Sequence, residues 1–133
     1  MKNHVLISLG SNLEQGEEVL LQSRRRLQQV YGDILFSTIY RTPAYGKPAL
    51  PYYYNCVGYF HTDLSCPELT EAFKMMEKEA GRTKEETGYT VPLDIDIIQW
   101  NDRILKTKDF QRDYVQLGLQ EIRPVLSSIL SDK

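Results

Sequence analysis

Between Val5 and Trp100 the apolar residues switch between the two-residue spacing of strands and the spacing of helices. Few folds bury every apolar face in the order these switches impose. Val5 to Leu9 reads as a buried strand that ends in the turn signal Gly10-Ser11-Asn12. Glu14 to Tyr31 reads as a helix, acidic at its start, with Leu20, Leu27 and Val30 near one face and Gly32 after its end. In residues 33–42, Ile34, Phe36, Thr38 and Tyr40 alternate as in one strand. Three prolines and a glycine between Thr42 and Pro51 forbid regular structure, and Tyr52 to His61 reads as a further strand. Ser65-Cys66-Pro67-Glu68 fits a capping box; Leu69, Ala72, Phe73, Met76 and Ala80 follow at helical spacing, and Gly81 ends the helix. Polar residues 82–92 read as a loop, Leu93 to Trp100 as the last strand, and Asp113 to Ile122 as a short helix before Pro124, with the tail beyond it largely helical or frayed.

The order is β-α-β-β-α-β with a C-terminal helical piece, the ferredoxin-like split pattern of the α+β class. It predicts a four-stranded antiparallel sheet with both long helices on one face and the other face available for a ligand. No repeat or linker divides residues 1–133, so one domain is expected. Sixteen Lys and Arg against 18 Asp and Glu give a net charge of −2, which argues against a nucleic-acid partner. No apolar run is long enough for a membrane span, and Met1-Lys2-Asn3-His4 leads into a strand-like run rather than a secretory leader. Cys56 and Cys66 are too few and too far apart for a disulfide framework or zinc site, which points to the reducing cytoplasm.

The sharpest chemical signal is Leu93-Asp94-Ile95-Asp96-Ile97. Alternation puts Leu93, Ile95 and Ile97 on one face and Asp94 with Asp96 on the other. Two carboxylates on one face of an apolar strand repel each other, so a positive partner is expected. Mg²⁺ suits such oxygen donors, and two ions there would clamp a polyphosphate. The competing interpretation is a solvated polar face. Tyrosine is over-represented, nine against four phenylalanines, and concentrated in Tyr52-Tyr53-Tyr54-Asn55. Tyr53 and Asn55 share a face there, a ring to stack a flat heterocycle beside a carboxamide to read its edge; equally, tyrosine simply favours strands. Gly10-Ser11-Asn12 is either a phosphate-facing turn or a strand-to-helix turn with Ser11 or Asn12 as cap. Arg82, Lys84, Arg103, Lys106, Lys108 and Arg112 flank the last strand, as phosphate neutralisers or as ordinary surface charge. His4 and His61 are expected to be structural and Cys56 a small core residue.

Taken in order, Leu9-Gly10-Ser11-Asn12-Leu13, Tyr40-Arg41-Thr42-Pro43-Ala44-Tyr45-Gly46, Tyr53-Tyr54-Asn55, Glu77 with Gly81-Arg82, and Leu93-Asp94-Ile95-Asp96-Ile97 resemble the 6-hydroxymethyl-7,8-dihydropterin pyrophosphokinase family of folate biosynthesis. The resemblance implies transfer of diphosphate from ATP to the pterin hydroxymethyl group with release of AMP, by a cytoplasmic monomer. It implies two Mg²⁺ ions on Asp94 and Asp96 and a pterin pocket made by Thr42, Pro43, Tyr45, Tyr53 and Asn55, with Tyr114 as second stacking ring. Glu77, Lys84 and Arg112 then fall on the ATP side, and Arg82 joins the aspartates in catalysis.

Family members usually carry an Arg-Trp-x-Pro-Arg segment before the aspartate strand, where this chain has Gly88-Tyr89-Thr90-Val91-Pro92, one residue shorter and without either arginine. Leu105-Lys106-Thr107-Lys108-Asp109 replaces a histidine-containing segment, and the part beyond it is shorter than usual. Fewer cations on the phosphates should weaken ATP binding or slow transfer. Lys106 or Lys108 could substitute in part, as a point charge rather than a planar fork. Two rival expectations follow: a homologue that binds a pterin or nucleotide without turnover, and a ferredoxin-like interaction module whose aspartates are only a polar face.

Overall fold

The computed structural model describes residues 2–43, 52–81 and 91–131, the side chains of Pro43 and of residues 127–131 excepted. One antiparallel sheet runs through it. β1 (Asn3–Ser11) lies at its centre, between β4 (Tyr52–Thr62) and β5 (Asp94–Trp100). β2 (Leu35–Phe36) and β3 (Tyr40–Pro43) both pair with the outer edge of β4, and β6 (Arg103–Ile104) pairs with β5. The sheet thus has six strands and not the expected four. β6 is a hairpin return that Asn101 makes possible, holding a left-handed φ of 54° that asparagine tolerates better than most residues.

The other added strand has a more consequential cause. Phe36 opposes Gly58 and Tyr40 opposes Asn55, so three residues of one chain segment face two of β4. A side-chain hydroxyl produces this bulge: buried Ser37 donates its N–H to Val57 O at 2.9 Å, and its Oγ accepts the N–H of Val57 at 3.0 Å. The Glu121 carboxylate then takes Thr38 N–H (2.8 Å), the Thr38 hydroxyl (3.0 Å) and the Tyr40 hydroxyl. A one-residue slip exchanges the faces of everything beyond it. Ile34 and Phe36 pack in one core layer, and so does Ile39, with the opposite parity. Tyr40 therefore leaves the face of Phe36, contrary to the alternation read from the sequence.

α1 (Gly16–Tyr31) and α2 (Cys66–Glu79) cover one face. Leu20 and Leu27 from α1 and Leu69, Phe73 and Met76 from α2 meet Val5, Ile7, Leu9, Cys56, Phe60, Ile95 and Ile97. Ser65 caps α2 in a reciprocal capping box with Glu68, as its sequence dictates. Gly32 and Gly81 follow the two helices at positive φ.

α3 (Thr107–Phe110) is one turn, and α4 (Asp113–Ser131) lies on the other face, where Val115, Leu119 and Ile122 pack on Leu6, Val57 and Ile98. That face is therefore only partly open, and α4 joins the expected short helix and the helical tail into one element that runs through Pro124. Pro124 is tolerated because the carbonyl it leaves unbonded belongs to Gln120, which is exposed to water, as is Pro124 itself. Gly118 lets α4 approach closely, since a Cβ there would stand 2.4 Å from Val57 Cγ2 and 3.3 Å from Ser37 Oγ.

Replacing Ser37 by Ala would leave the Val57 N–H buried without its acceptor. We expect a loss of about 1–3 kcal/mol in urea unfolding. A loss below about 0.5 kcal/mol would show that the bulge does not need the hydroxyl.

Candidate active site

The half of the sheet face that α4 leaves uncovered collects the polar residues. Cross-strand register sets Tyr40, Asn55, Gly10 and Asp94 in one row over β3, β4, β1 and β5, with Ser8 opposite Asp96 in the adjacent row. Gly10 keeps the middle of that row low: a Cβ on it would lie 3.0 Å from Asn55 Oδ1. A cleft of about 230 Å³ opens above the row, between Thr42, Tyr53, Asn55 and Asp94 from the sheet and Asp109, Arg112 and Tyr114 from the α3–α4 region. Thr42 reaches it because of the bulge. In an unbroken strand it would share the helix-covered face of Ile34 and Phe36. Instead its Oγ1 accepts Asn55 Nδ2–H at 2.6 Å, which fixes the buried carboxamide. An amide so held has one more donor and an acceptor to present to a planar ring edge.

A second cleft of about 380 Å³ lies on the other side of the aspartates. Thr70, Lys74 and Glu77 of α2 line it, together with Asp94, Asp96 and Lys106. Asp94 borders both clefts. Glu77 accepts the backbone N–H of Ile95, between the two aspartates, at 2.8 Å and so ties α2 to this strand. Asp96 pairs with Lys106, Nζ to Oδ1 2.8 Å. Burial is the main cause that pushes the Asp96 carboxyl up to about 6, helped by its hydrogen bond and repulsion with Asp94 and opposed by Lys106. Burial, then the charges of Asp109, Asp96 and Asp94, push the Tyr114 phenol up to about 12, so it remains a hydroxyl at neutral pH.

The donor set fits a divalent cation of the Mg²⁺ type. Two hard carboxylates share a face, and burial and the neighbouring Asp94 raise the cost of the Asp96 charge. Among the described residues no group of three or more His, Cys, Asp or Glu could hold a metal unaided. Mg²⁺ needs no such cage, because it keeps waters and completes its shell with substrate phosphates.

Of the residues the sequence singled out, Thr42, Tyr53, Asn55, Asp94, Arg112 and Tyr114 come together in the first cleft. Glu77 and Asp96 meet in the second. Arg112 and Glu77, assigned to one side by resemblance, thus stand on different clefts. Pro43 lies in β3 beside Thr42, while Tyr45, Arg82 and Lys84 fall outside the described residues. Asn12 does not cap α1 but is bonded to Val91, a lining residue of the first cleft. Its Oδ1 accepts Val91 N–H at 2.7 Å and its N–H donates to Val91 O, which pins the start of β5 to the end of β1. Sequence reading missed Ser8 and Asp109 in the first cleft and Thr70 and Lys74 in the second. Their signal was weak, since a serine in a strand and charges on polar segments have no distinctive spacing. His4 and His61 lie at the other end of the sheet, joined through the Tyr59 hydroxyl at 2.6 and 3.3 Å.

Protonation of Asp96 competes with a cation. Its folded value lies above the ordinary 3.8, so folding takes up a proton between that pH and about 6. The Asp96 contribution to stability therefore falls as pH rises across this window. Cation binding runs the opposite way: affinity for Mn²⁺, titrated alone, should rise about tenfold from pH 5 to 7 and level off above. A flat profile would show that Asp96 does not hold the ion.

Comparison with known proteins identifies the family. The model of the family described as 7,8-dihydro-6-hydroxymethylpterin-pyrophosphokinase matches residues 6–124. The chain is 31% identical over 130 residues to the folic acid synthesis protein of Dictyostelium discoideum, 92% of this chain but only 20% of that larger one. It is 29% and 31% identical to the 2-amino-4-hydroxy-6-hydroxymethyldihydropteridine pyrophosphokinases of Aquifex aeolicus and Helicobacter pylori, in each case over 90% of this chain and at least 80% of the relative. With most of its length matched by the family model, and with the matched part containing both clefts, this chain belongs to the 7,8-dihydro-6-hydroxymethylpterin-pyrophosphokinase family.

Proposed function

We propose that this chain transfers diphosphate from ATP to the hydroxymethyl oxygen of 6-hydroxymethyl-7,8-dihydropterin, a step of folate biosynthesis. The observation that carries this reading is the carboxylate pair placed between a small cleft with a fixed carboxamide and a second cleft lined by Lys74 and Lys106. The pterin edge lies on Asn55 and Thr42, and its ring lies between Tyr53 and Tyr114. Pro43 and Tyr45 complete this pocket, an assignment supported by the family motif. ATP occupies the second cleft, where Glu77 is a lining residue, while Arg112 supplies charge from the first cleft beside Asp94. Lys84 on the ATP and Arg82 beside the aspartates in catalysis are assignments supported by the family resemblance.

The pterin oxygen attacks the β-phosphorus, the bond from that phosphorus to the bridging oxygen of AMP breaks, and AMP leaves with that electron pair. The hydroxyl proton passes to solvent or a nearby base. Asp94 and Asp96 would hold two Mg²⁺ ions, which when bound would neutralise the charge developing on the phosphates. The protein's own contribution is to hold acceptor and donor in line across the pair and to keep them from diffusing apart. We read the sheet as the ferredoxin-like arrangement with its second strand broken by the bulge. No described helix is long and apolar enough to cross a membrane, and the free thiols of Cys56 and Cys66 suit the cytoplasm.

Coupled detection of AMP tests the reading. ATP, Mg²⁺ and hydroxymethyldihydropterin should together yield AMP in proportion to protein. Asp94→Ala and Asp96→Ala should each lower kcat by a factor on the order of 100 or more. Absence of AMP above background at millimolar ATP and Mg²⁺ would sink the reading. Tyr114→Leu should raise KM for the pterin by about three- to tenfold, with a smaller change in KM for ATP. Equal changes in both would remove Tyr114 from the pterin pocket.

A further inference from the structure

Lys106 occupies the very carboxylate that the proposed function gives to a cation. It lies between β6 and the one-turn α3, and its Nζ stands 2.8 Å from Asp96 Oδ1. The carboxylates of Asp96, Asp109 and Asp94 all act on this ammonium. The lysine side chain is 46% exposed and that of Asp96 only 23%. The same ammonium lines the second cleft with Thr70 and Lys74.

We propose that Lys106 is an exchangeable counterion, which neutralises Asp96 while no divalent cation is bound, gives the carboxylate up when one arrives, and turns to the phosphates of the incoming nucleotide. The proposal rests on the function argued above for this site. Three observations support it.

The first is competition. An ammonium and a divalent cation on one carboxylate repel each other, and a half-exposed ion pair returns too little to hold the lysine there. The second is mobility. The ammonium ends a flexible four-carbon stem, and nearly half of the side chain is exposed, so leaving Asp96 requires rotamer changes and no movement of the sheet. The third is the destination. Lys106 already borders the cleft that receives the phosphates, beside Lys74 and Thr70, so a short swing carries its charge from protein carboxylate to ligand phosphate. Burial explains why such a counterion is useful. Without a partner for Asp96, the empty site would hold two repelling carboxylates on one partly buried strand face.

The same residue therefore has opposite effects on two ligands, and this makes the exchange testable without turnover. Calorimetry would compare the parent chain with Lys106→Met, which keeps the stem and removes the charge. Mn²⁺ alone should bind the variant about two- to fivefold more tightly, the size of effect a half-exposed ion pair permits. A non-hydrolysable ATP analogue with saturating Mg²⁺ should bind it about three- to thirtyfold more weakly. Lys106→Arg should restore much of the nucleotide affinity, which a merely structural lysine would not require. Unchanged or weaker Mn²⁺ binding in Lys106→Met overturns the exchange, and so does tighter Mn²⁺ binding with nucleotide affinity unaltered. Failure of the functional reading would show separately, as absence of AMP release by the parent chain, while the Mn²⁺ titration would still decide whether Lys106 competes for Asp96.

Discussion

The chemistry of this molecule depends on one slipped residue at the edge of its sheet. Ser37 replaces a backbone acceptor with its own hydroxyl, and the chain beyond it changes face. Thr42 thereby meets Asn55 instead of the helical layer, and the carboxamide is fixed where a planar ligand edge can be read. Glu121 secures the slip from α4, with hydrogen bonds from Thr38 and Tyr40. Burial works against the Glu121 charge, but the bonds from Tyr40 and Thr38 and the nearby Arg24 together hold its carboxyl below the usual range. The helix that narrows the ligand face is thus tied to the segment that shapes it.

The second organising element is electrostatic. β5 carries Ile95 and Ile97 into the core and Asp94 and Asp96 onto the ligand face, so core burial itself forces the two carboxylates together. Folding energy comes mainly from the apolar side, each fully buried large side chain contributing about 1.5–3 kcal/mol. That side can offset the mutual repulsion of the acidic pair. Glu77 and Lys106 meet this strand from two elements, one at the backbone and one at a carboxylate. The result is a site whose charge is partly balanced in isolation and which a cation and polyphosphate can complete.

Much of this was legible in the residues. The capping box of Ser65, the helix stops at Gly32 and Gly81, the placement of Asp94 with Asp96 and of Tyr53 with Asn55 all follow from local rules that act over a few neighbours. The reading of residues 33–42 as one strand failed because Ser37 was silent in sequence. The partner that makes its hydroxyl shift the register is Val57 of another strand, twenty residues away. Whether the helix runs unbroken through Pro124 was open in the sequence, where the tail reads as helical or frayed; a proline is tolerated better where its neighbours are exposed, and exposure is a tertiary property.

The sequence by itself determined the alternation of strands and helices, the face on which each carboxylate and tyrosine lies within its own strand, and the collinear motifs that mark the family. Periodicity and capping are properties of short segments, so they survive without knowledge of the fold. Only the tertiary structure decided that Gly10 lies between Asn55 and Asp94, that Asn12 straps β5 instead of capping a helix, that α4 covers half of the ligand face, and that Lys106 stands on Asp96. Each of these joins residues distant in the chain, and register, side-chain reach and charge become definite there only once the sheet has assembled.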